Sequence, residues 1–348
     1  MSTIVLTPET WLQPAIHPVY ARLLCAELRR RGFSEAQITA GTRLDWATLH
    51  SDNRFLSFEQ FRRLVAHALL LSDCPWLGIE VGIHAQLSLH GALGQAVAAS
   101  GSVAQALALC KRYMPLRQRM IGVRVETESG VAMVAEEFLV VPELREFLLG
   151  YLTATLLRLL EAVTGQPLRD ELALEWPFPT PAWAAEYQRL ASRNSFGHEE
   201  MRGLMDPALL ARGNLAADAE ALRVAERECE RQLKVQEQGG TLTQRIQSRL
   251  AQCSGQYPSI LEMAGLEHMS SRTLIRHLRE EGTTYQQLLD TVREELACWL
   301  LVQTTLPVEA VAARLGYEDT SNFSRTFRRD RALPVPQDAS PASHAPPL

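Results

Sequence analysis

The sequence lacks several features that define other classes of protein. No stretch of about eighteen apolar residues occurs in its 348 positions, and no charged and then apolar leader opens it. A membrane-spanning helix needs such a run, and a secretory signal needs such a leader. We therefore expect no membrane partner and a cytoplasmic location.

Paired cysteines and catalytic motifs are absent as well. The six cysteines are far apart, without a Cys-x-x-Cys pair, so we predict neither a disulfide scaffold nor a zinc site but small buried apolar residues. A redox or alkylation sensor is the alternative. His198-Glu199-Glu200 lacks the second histidine of a helical metal motif, and Gly-x-Ser-x-Gly and phosphate-loop patterns do not occur. We expect no metal, no cofactor and no enzyme activity.

Lysine is nearly missing, with Lys111 and Lys234 as its two occurrences among 35 basic residues. The net charge of -5 excludes unspecific, charge-driven coating of nucleic acid, although it allows a local binding face. A composition of 46% apolar and 22% charged residues is typical of a globular chain with two or three domains.

What the chain does contain is a repeat in its last hundred residues. Ala264, Leu274, Arg276 and Leu278 recur about fifty positions later as Ala312, Phe323, Arg325 and Phe327. The small residue lets a second helix cross close to the first, and anchors four apart share one helical face. Each copy therefore predicts a helix-turn-helix unit whose arginine faces outward.

Capping signals set the helix boundaries of this region. Ser259 with Glu262 and Thr284 with Gln287 have the pattern of capping boxes, and Ser270 is positioned to cap the helix between them. The predicted helices run from Ile260 to about Glu267, from Ser271 to about Glu281 before Gly282, from Tyr285 to Leu301, from a first turn at Pro307 to Gly316, and from a cap at Ser321 to about Arg331.

These helices contain the segments SSRTLIR at 270–276, VREELA at 292–297, AARLGY at 312–317 and FSRTFRR at 323–329. With them, residues 241 to 331 resemble the DNA-binding domain of AraC-type transcriptional regulators. The resemblance implies that the second helix of each unit enters a major groove, the two grooves lying about 34 Å apart on one face of the duplex.

By position, the resemblance also implies which side chains contact DNA. Arginine pairs with guanine, whose O6 and N7 match its two-pronged donor geometry, and isoleucine contacts no more than a thymine methyl. Some of these arginines are alternatively solvated or phosphate-binding. The expected DNA-binding residues are Ser271, Arg272, Ile275, Arg276 and Arg279 in the first unit and Thr320, Ser321, Asn322, Arg325 and Arg329 in the second.

Two features depart from the pattern. Residues 241 to 331 contain eleven arginines and eleven acidic residues, so the positive charge of a DNA-binding face must be local. The stretch Asp330-Arg331-Ala332-Leu333-Pro334-Val335 replaces the Trp-Thr-Gly-Val-x-Pro-like ending of the family. We expect a less stable or more weakly binding second unit, followed by a disordered tail at 332–348.

The N-terminal part mixes two periodicities. Helical spacing predicts helices over Tyr20–Arg31, from Ser57 through Leu71, and after Ser102 to Tyr113. Alternation from Ile121 to Phe138, with a turn at Ser129-Gly130, predicts a hairpin. A helix over Leu144–Thr164, a third strand over Leu172–Trp176 and a helix from Pro181 to about Ala191 complete the prediction. Such a mixture is typical of an α+β domain, with helices packed on a small antiparallel sheet.

Segments of this part resemble the ligand-sensing domain of a subgroup of AraC-type regulators, often called arabinose-binding-like. They are PWLGI at 75–79, HGALG at 90–94 and SVAQAL at 102–107 with Arg112-Tyr113. The resemblance implies that the domain senses a small molecule and helps the chain to dimerise. Candidate ligand contacts are His90, Tyr113, Arg117 and Arg145, although structural roles explain these positions equally well.

Between the two parts, Ala219 to Gln236 predicts a charged helix with Leu222, Ala225, Cys229 and Leu233 on one stripe. It serves either as a dimer helix or as the last helix that covers the sensor, and Gly239-Gly240 after it forms a flexible joint. The predicted division is a ligand-sensing and dimerisation domain at 1–215, a linker helix and hinge at 216–240, an all-α DNA-binding domain with two helix-turn-helix units joined by a linker helix at 241–331, and the tail at 332–348.

The sequence therefore predicts a bacterial transcriptional regulator that binds specific DNA sequences. We expect it to activate transcription. Its expected partners are double-stranded promoter DNA, a small-molecule effector, a second copy of the chain in a homodimer, and RNA polymerase. The alternative is a sensor or partner-binding protein whose altered second helix-turn-helix unit no longer reads DNA.

Overall fold

A computed structural model describes residues 11–50, 55–127, 130–138, 140–253, 255–304 and 306–317. Helices precede, cover and follow a five-stranded sheet. The helices of the N-terminal part are α1 Pro18–Arg30, α2 Glu35–Thr39, α3 Trp46–His50, α4 Phe58–Ser72, α5 Leu77–Ile83, α6 Ala92–Ala99, α7 Val103–Tyr113, α8 Pro142–Thr164 and α9 Pro207–Leu210.

Local capping explains where several of these helices begin. The Ser57 side chain accepts a hydrogen bond from the Gln60 backbone, and the Gln60 side chain accepts one from the Ser57 backbone, which is a complete capping box. Ser34 with Gln37 repeats the arrangement in front of α2. Ser102 caps α7 by accepting from the Gln105 backbone. The helices expected from Tyr20, Ser57 and Ser102 are thus present within one or two residues.

The sheet is larger than predicted and is not purely antiparallel. Its strands are β3 Ile121–Glu126, β4 Val131–Glu137, β5 Leu172–Trp176, β6 Arg193–Phe196 and β7 Arg202–Met205, in the order β3-β4-β7-β5-β6. The hairpin and third strand are confirmed, although Ser129 of the expected turn lies outside the described residues. Strand β6 pairs with β5 in parallel, which corrects the all-antiparallel prediction. A separate two-stranded sheet pairs β1 Pro14–Ile16 with β2 Leu56–Ser57.

The predicted helix from Pro181 to about Ala191 is wrong. This segment forms a short 3-10 helix over Ala184–Arg189. Tyr187 is buried there, with its ring centre 4.7 Å from that of Trp176 and 5.5 Å from that of Phe196. Packing of the aromatic side chains on the sheet accounts for the irregular path.

Helix α8 passes through the middle of this part of the molecule. It is long and apolar enough to cross a membrane by length and composition, but much of it is buried in the protein core. Leu156 and Leu160 lie on the face that meets the sheet, and Phe147 and Tyr151 lie among the aromatic rings of the helical layer. Helix α5 packs closely along it because Gly78 lies against the backbone of Phe147. Contacts on both sides explain why α8 lacks a polar face.

The C-terminal part consists of α10 Ala219–Glu237, α11 Leu242–Ala251, α12 Ile260–Leu266, α13 Ser271–Glu280, α14 Tyr285–Gln303 and α15 Val308–Arg314. Gly239 and Gly240, with φ values of 92° and 78°, form the turn between α10 and α11. Leu222, Ala225 and Cys229 of α10 are buried, and α10 packs on α6. Within one chain, α10 therefore covers the N-terminal sensor domain, which is one of the two roles predicted for this helix.

The cysteines are mostly part of the core. Cys25, Cys74, Cys110 and Cys229 are buried, as predicted, whereas Cys253 and Cys298 are half-buried. All six are free thiols. Burial raises the pKa of Cys25 and Cys110 to about 12, so these two thiols are protonated and unreactive at neutral pH.

Candidate DNA-binding site

The first helix-turn-helix unit consists of α12 and α13. Ser259 and Glu262 form the predicted capping box in front of α12. The turn to α13 passes through His268, whose φ is 55°, and closes with a hydrogen bond of 2.9 Å from the Met269 backbone to Ala264. Ala264 is 1% exposed at the helix crossing, the position for which the sequence pattern requires a small residue.

Helix α13 separates an apolar face from a cationic face. Leu274 and Leu278 are fully buried and anchor the helix. Arg272, Ile275, Arg276 and Arg279 are all exposed, while Ser271 at the first turn is half-buried. Arg276 approaches Glu280 at 3.8 Å, and both of these side chains are more than half exposed. Such an exposed pair contributes little to stability, so its arginine is available to a ligand. The arginines of the first unit therefore lie together on one accessible face, as the sequence predicts.

Ionic contacts fix this unit to the preceding helix. Arg245 and Arg249 of α11 each donate to the Glu267 carboxylate, both at 2.8 Å. Burial alone disfavours the charged form, but these hydrogen bonds lower the pKa of Glu267 below its usual value. Glu281, just after α13, accepts a hydrogen bond of 2.9 Å from the Thr243 backbone at the first turn of α11. The cationic face is thus held on a rigid base.

The start of α14 differs in detail from the prediction. Thr284 caps the helix by accepting from the Gln287 backbone at 3.2 Å. The Gln287 side chain, however, accepts from the Thr284 hydroxyl at 3.1 Å and not from the Thr284 backbone, so the capping box is incomplete. Pro307 was predicted to lie in the first turn of α15. It forms the N-cap instead, so the helix begins one residue later, at Val308.

Part of the second unit is described. Val311 and Ala312 of α15 are buried, and Gly316, with a φ of 74°, follows the helix. Ala312 thus occupies the same kind of buried position as Ala264. The predicted contacts of this unit, together with Phe323 and Phe327, lie outside the described residues; they are Thr320, Ser321, Asn322, Arg325 and Arg329.

One side chain of α14 contacts residues from both units. The guanidinium of Arg293 lies 4.6 Å from the ring centre of Tyr257, before α12, and 5.6 Å from that of Tyr317, after α15. These are cation–π distances. At 19 residues, α14 is about 28 Å long. No sequence pattern marked Arg293 as functional, although it lies within the segment VREELA that carried the resemblance.

Two of the four ligand candidates lie together in the N-terminal core. His90 is 2% exposed, and its Nδ1 is 2.9 Å from the hydroxyl of Tyr20. The Arg117 guanidinium lies 5.9 Å from the Tyr20 ring centre and donates 2.5 Å to the Leu89 carbonyl. Burial, and secondly the nearby Arg117 charge, lower the pKa of His90 to about 4. Nε2 of His90 and Nε of Arg117 lack hydrogen-bond partners among the described residues. Tyr20 was missed because it lies seventy positions away in sequence.

The other two candidates lie elsewhere and have internal partners. The Tyr113 hydroxyl donates to Glu230 at 2.5 Å, which joins α7 to α10. Arg145 donates to Glu137 at 2.6 Å and to the Pro177 carbonyl at 2.7 Å. The structure therefore does not bring all four residues into one site.

Paired helices with buried leucine anchors and exposed arginines define a helix-turn-helix transcriptional regulator. Residues 32–214 match the family model of the arabinose-binding domain of AraC transcription regulators, N-terminal, and residues 263–334 match a helix-turn-helix domain model. This chain belongs to the AraC family. It is a DNA-binding transcriptional regulator with an N-terminal ligand-binding domain, and not an enzyme.

Individual relatives share much of its length. An ornithine utilization regulator of Pseudomonas aeruginosa is 31% identical over 329 residues, which cover 92% of this chain and 95% of the relative. The transcriptional regulator VirS of Mycobacterium tuberculosis is 25% identical over 289 residues, covering 80% and 83%. The crystal structure of the transcriptional regulator CdpR from Pseudomonas aeruginosa has 25% identity and a TM-score of 0.47, covering 90% of this chain and 96% of that one.

Proposed function

We propose that the chain activates transcription by reading promoter DNA with α13, under the control of a small molecule. The observation that carries the proposal is the two-sided character of α13. Its leucines are buried against the domain, and Arg272, Arg276 and Arg279 are exposed on the opposite side. A helix of this kind fits the major groove, where arginine distinguishes guanine from the other bases by about 1–3 kcal/mol.

The balance of eleven arginines and eleven acidic residues in this region is compatible with binding because the charges are segregated. Glu267 and Glu281 are used internally, on Arg245 and Arg249 and on the α11 backbone. Their negative charge is therefore held away from the exposed face of α13. On α13 itself, the three exposed arginines outnumber one exposed acid, Glu280. This local excess of positive charge supplies the attraction to phosphate that every DNA-binding protein needs.

The second unit adds a neighbouring half-site in this proposal, through Thr320, Ser321, Asn322, Arg325 and Arg329. Helix α14, about 28 Å long, is comparable in length with the roughly 34 Å between successive major grooves on one face of DNA. Arg293 contacts aromatic residues on either side of it. The division of the chain at 1–215, 216–240, 241–331 and 332–348 belongs to the same proposal.

The effector acts on the N-terminal part. His90 and Arg117 are the candidate contacts that lie together in its core, whereas the hydrogen bonds of Tyr113 and Arg145 assign them structural roles. Because a similar protein is named as an ornithine utilization regulator, L-ornithine is the first compound to test. We further propose that the chain acts as a homodimer in a bacterial cytoplasm and contacts RNA polymerase. Sedimentation with and without L-ornithine tests the dimer, and a promoter reporter tests the sign of regulation.

Selection of bound DNA from a random library tests the central proposal. The purified full chain is expected to enrich one motif, and its affinity should fall steeply as salt increases from about 50 to 200 mM. Arg223→Ala, which removes an exposed arginine of α10, serves as a matched control and should enrich the same motif. Absence of both enrichment and salt dependence would instead support a sensor or partner-binding protein that no longer reads DNA.

A further inference from the structure

A cavity lies where the N-terminal helices meet the helix that links the two DNA-binding units. Its volume is about 250 Å³. Thr42, Gln60 and Arg63 line it from the N-terminal side, and Gln287, Thr291 and Glu294 line it from α14. Arg43 and Glu294 form an ion pair across this contact. The cavity is thus walled by both functional parts of the chain and is rich in hydrogen-bonding side chains.

Arg63 is the unusual member of this lining. Its side chain is 5% exposed, and its Nε donates to Glu59 at 2.7 Å. Its Nη1 lies 3.7 Å from the Glu294 carboxylate, which is too long for a hydrogen bond. Its Nη2 has no hydrogen-bond partner among the described residues. A buried guanidinium with an unsatisfied N–H is costly, so the site favours an acceptor that completes it.

The neighbouring carboxylates are already engaged. Glu59 accepts from Arg62 at 2.7 and 2.9 Å, from Arg63, and from the Trp11 indole at 2.6 Å. Glu294 is shared with Arg43. Asp45 and Glu295 line the cavity as well. None of these four acids accepts a hydrogen bond from Nη2 of Arg63. A molecule in the cavity can supply the missing acceptor, and a carboxylate is the group that guanidinium binds most strongly.

We propose that this cavity binds a small carboxylate-bearing molecule whose carboxylate accepts from Nη2 of Arg63. Gln60, Gln287 and Thr291 offer hydrogen bonds to the rest of it. The proposal rests on the proposed function, because it gives the effector of this regulator a chemical class and a binding place at this cavity, as the alternative to the core around His90 and Arg117. A volume near 250 Å³ accommodates a small molecule such as a dicarboxylate or an amino acid.

The location connects binding to DNA recognition. Helix α14 supplies one wall of the cavity and, through Arg293, also contacts aromatic residues next to both DNA-binding units. A carboxylate on Arg63 competes with Glu294 for the same cation. The ligand thereby binds more tightly when α14 has one placement than when it has another. Such a difference in ligand affinity between two states of the protein is what control by a ligand requires.

Calorimetric titration of the purified full chain tests the proposal with two matched pairs, succinate against succinamide and L-ornithine against L-ornithinamide. At least one carboxylate is expected to bind saturably, and its amide is not. Arg63→Gln should weaken that binding at least about tenfold, because a charge-assisted hydrogen bond is lost. Arg158→Gln, at an exposed arginine of α8, should bind as the unaltered chain does.

Because Arg63→Gln also removes a partner of buried Glu59, a second variant keeps the test independent of folding. Thr291→Leu leaves the ion pairs intact, removes a hydroxyl from the lining and narrows the cavity, so it should also weaken binding. Normal affinity in both variants would overturn the proposal, as would loss in Arg117→Gln with full binding in Arg63→Gln, which places the effector in the N-terminal core. If DNA selection succeeds and neither carboxylate binds, the proposed function stands and this inference fails.

Discussion

The guanidinium of Arg293 lies 4.6 Å from the ring centre of Tyr257, so the helix between the two DNA-binding units is tied to the segment that precedes the first of them. The same guanidinium lies 5.6 Å from the ring of Tyr317, beyond α15. One side chain therefore influences the placement of both units. Its contribution is mainly geometric, since a cation–π contact is worth about 0.5–2 kcal/mol.

Replacing Arg293 with alanine should loosen this arrangement. We expect a loss of about 1–2 kcal/mol in the free energy of unfolding, from the cation–π contacts and the packing of the arginine stem. We also expect a weaker preference for one spacing between half-sites. Denaturant unfolding and binding to DNA sites of altered spacing measure the two effects. Arg314→Ala, at an exposed position of α15, is the control, and an equal effect of both variants would argue against a special role of Arg293.

Glu267 should make the first DNA-binding unit sensitive to acid. Its folded-state pKa is lowered by Arg245 and Arg249, so the stability it contributes is complete above the unfolded pKa of about 4.3 and is lost as pH falls through the folded pKa. Glu267→Gln should destabilise the chain by about 1–3 kcal/mol at pH 7. Below about pH 4.5, the free energy of unfolding should change less with pH in Glu267→Gln than in the unaltered chain. Glu309→Gln, at an exposed position of α15, provides the comparison.

His90 should contribute a second pH dependence, at a higher pH. The pKa of His90 is about 4 in the folded chain, whereas the pKa of an unfolded histidine is about 6.5. At a pH between these values, the folded chain keeps the imidazole neutral and the unfolded chain takes up a proton. The unfolded state therefore binds more protons between those values, and stability falls as pH falls from about 6.5 to about 4.

His90→Gln should remove most of this slope, which thermal unfolding between pH 7 and pH 4 measures. His84→Gln, at a half-exposed position, should keep it. Identical slopes in the unaltered chain and in His90→Gln would mean that the buried histidine is not neutral in the folded state.

The helix-turn-helix residues were predictable because local signals fix them. A serine cap sets the start of α12 and of α13, and leucines four residues apart set the buried face of α13. Neither signal depends on distant parts of the chain. The exposed arginines then follow from the anchors, since they lie on the remaining faces of the same helix.

The missed strands depend on long-range packing. Arg193–Phe196 is polar, and it becomes a strand because β5 lies beside it. Arg202–Met205 contains Gly203, whose position lies between Met133 and Leu174 of the neighbouring strands. No alternation of apolar residues marks either segment, so periodicity alone predicted a smaller sheet.

The same limitation applies to the sites. Arg63 and Glu294 are separated by 231 positions, and the contact between them arises from how the two parts of the chain pack together. His90 and Arg117, by contrast, were singled out individually, but their buried partner Tyr20 was not. Residue types at helical spacing therefore predict the buried and exposed faces of a helix well, whereas a cavity formed between distant segments requires the fold.

The most direct test of the central claim, that α13 reads base sequence, compares the unaltered chain with Arg276→Ala on the selected DNA site and on its single base-pair variants. We expect the unaltered chain to lose about tenfold or more in affinity when guanine is replaced at one position, and Arg276→Ala to bind all four bases there equally. A variant that binds every sequence more weakly by the same factor would show that Arg276 contacts phosphate, and it would contradict base reading by this residue.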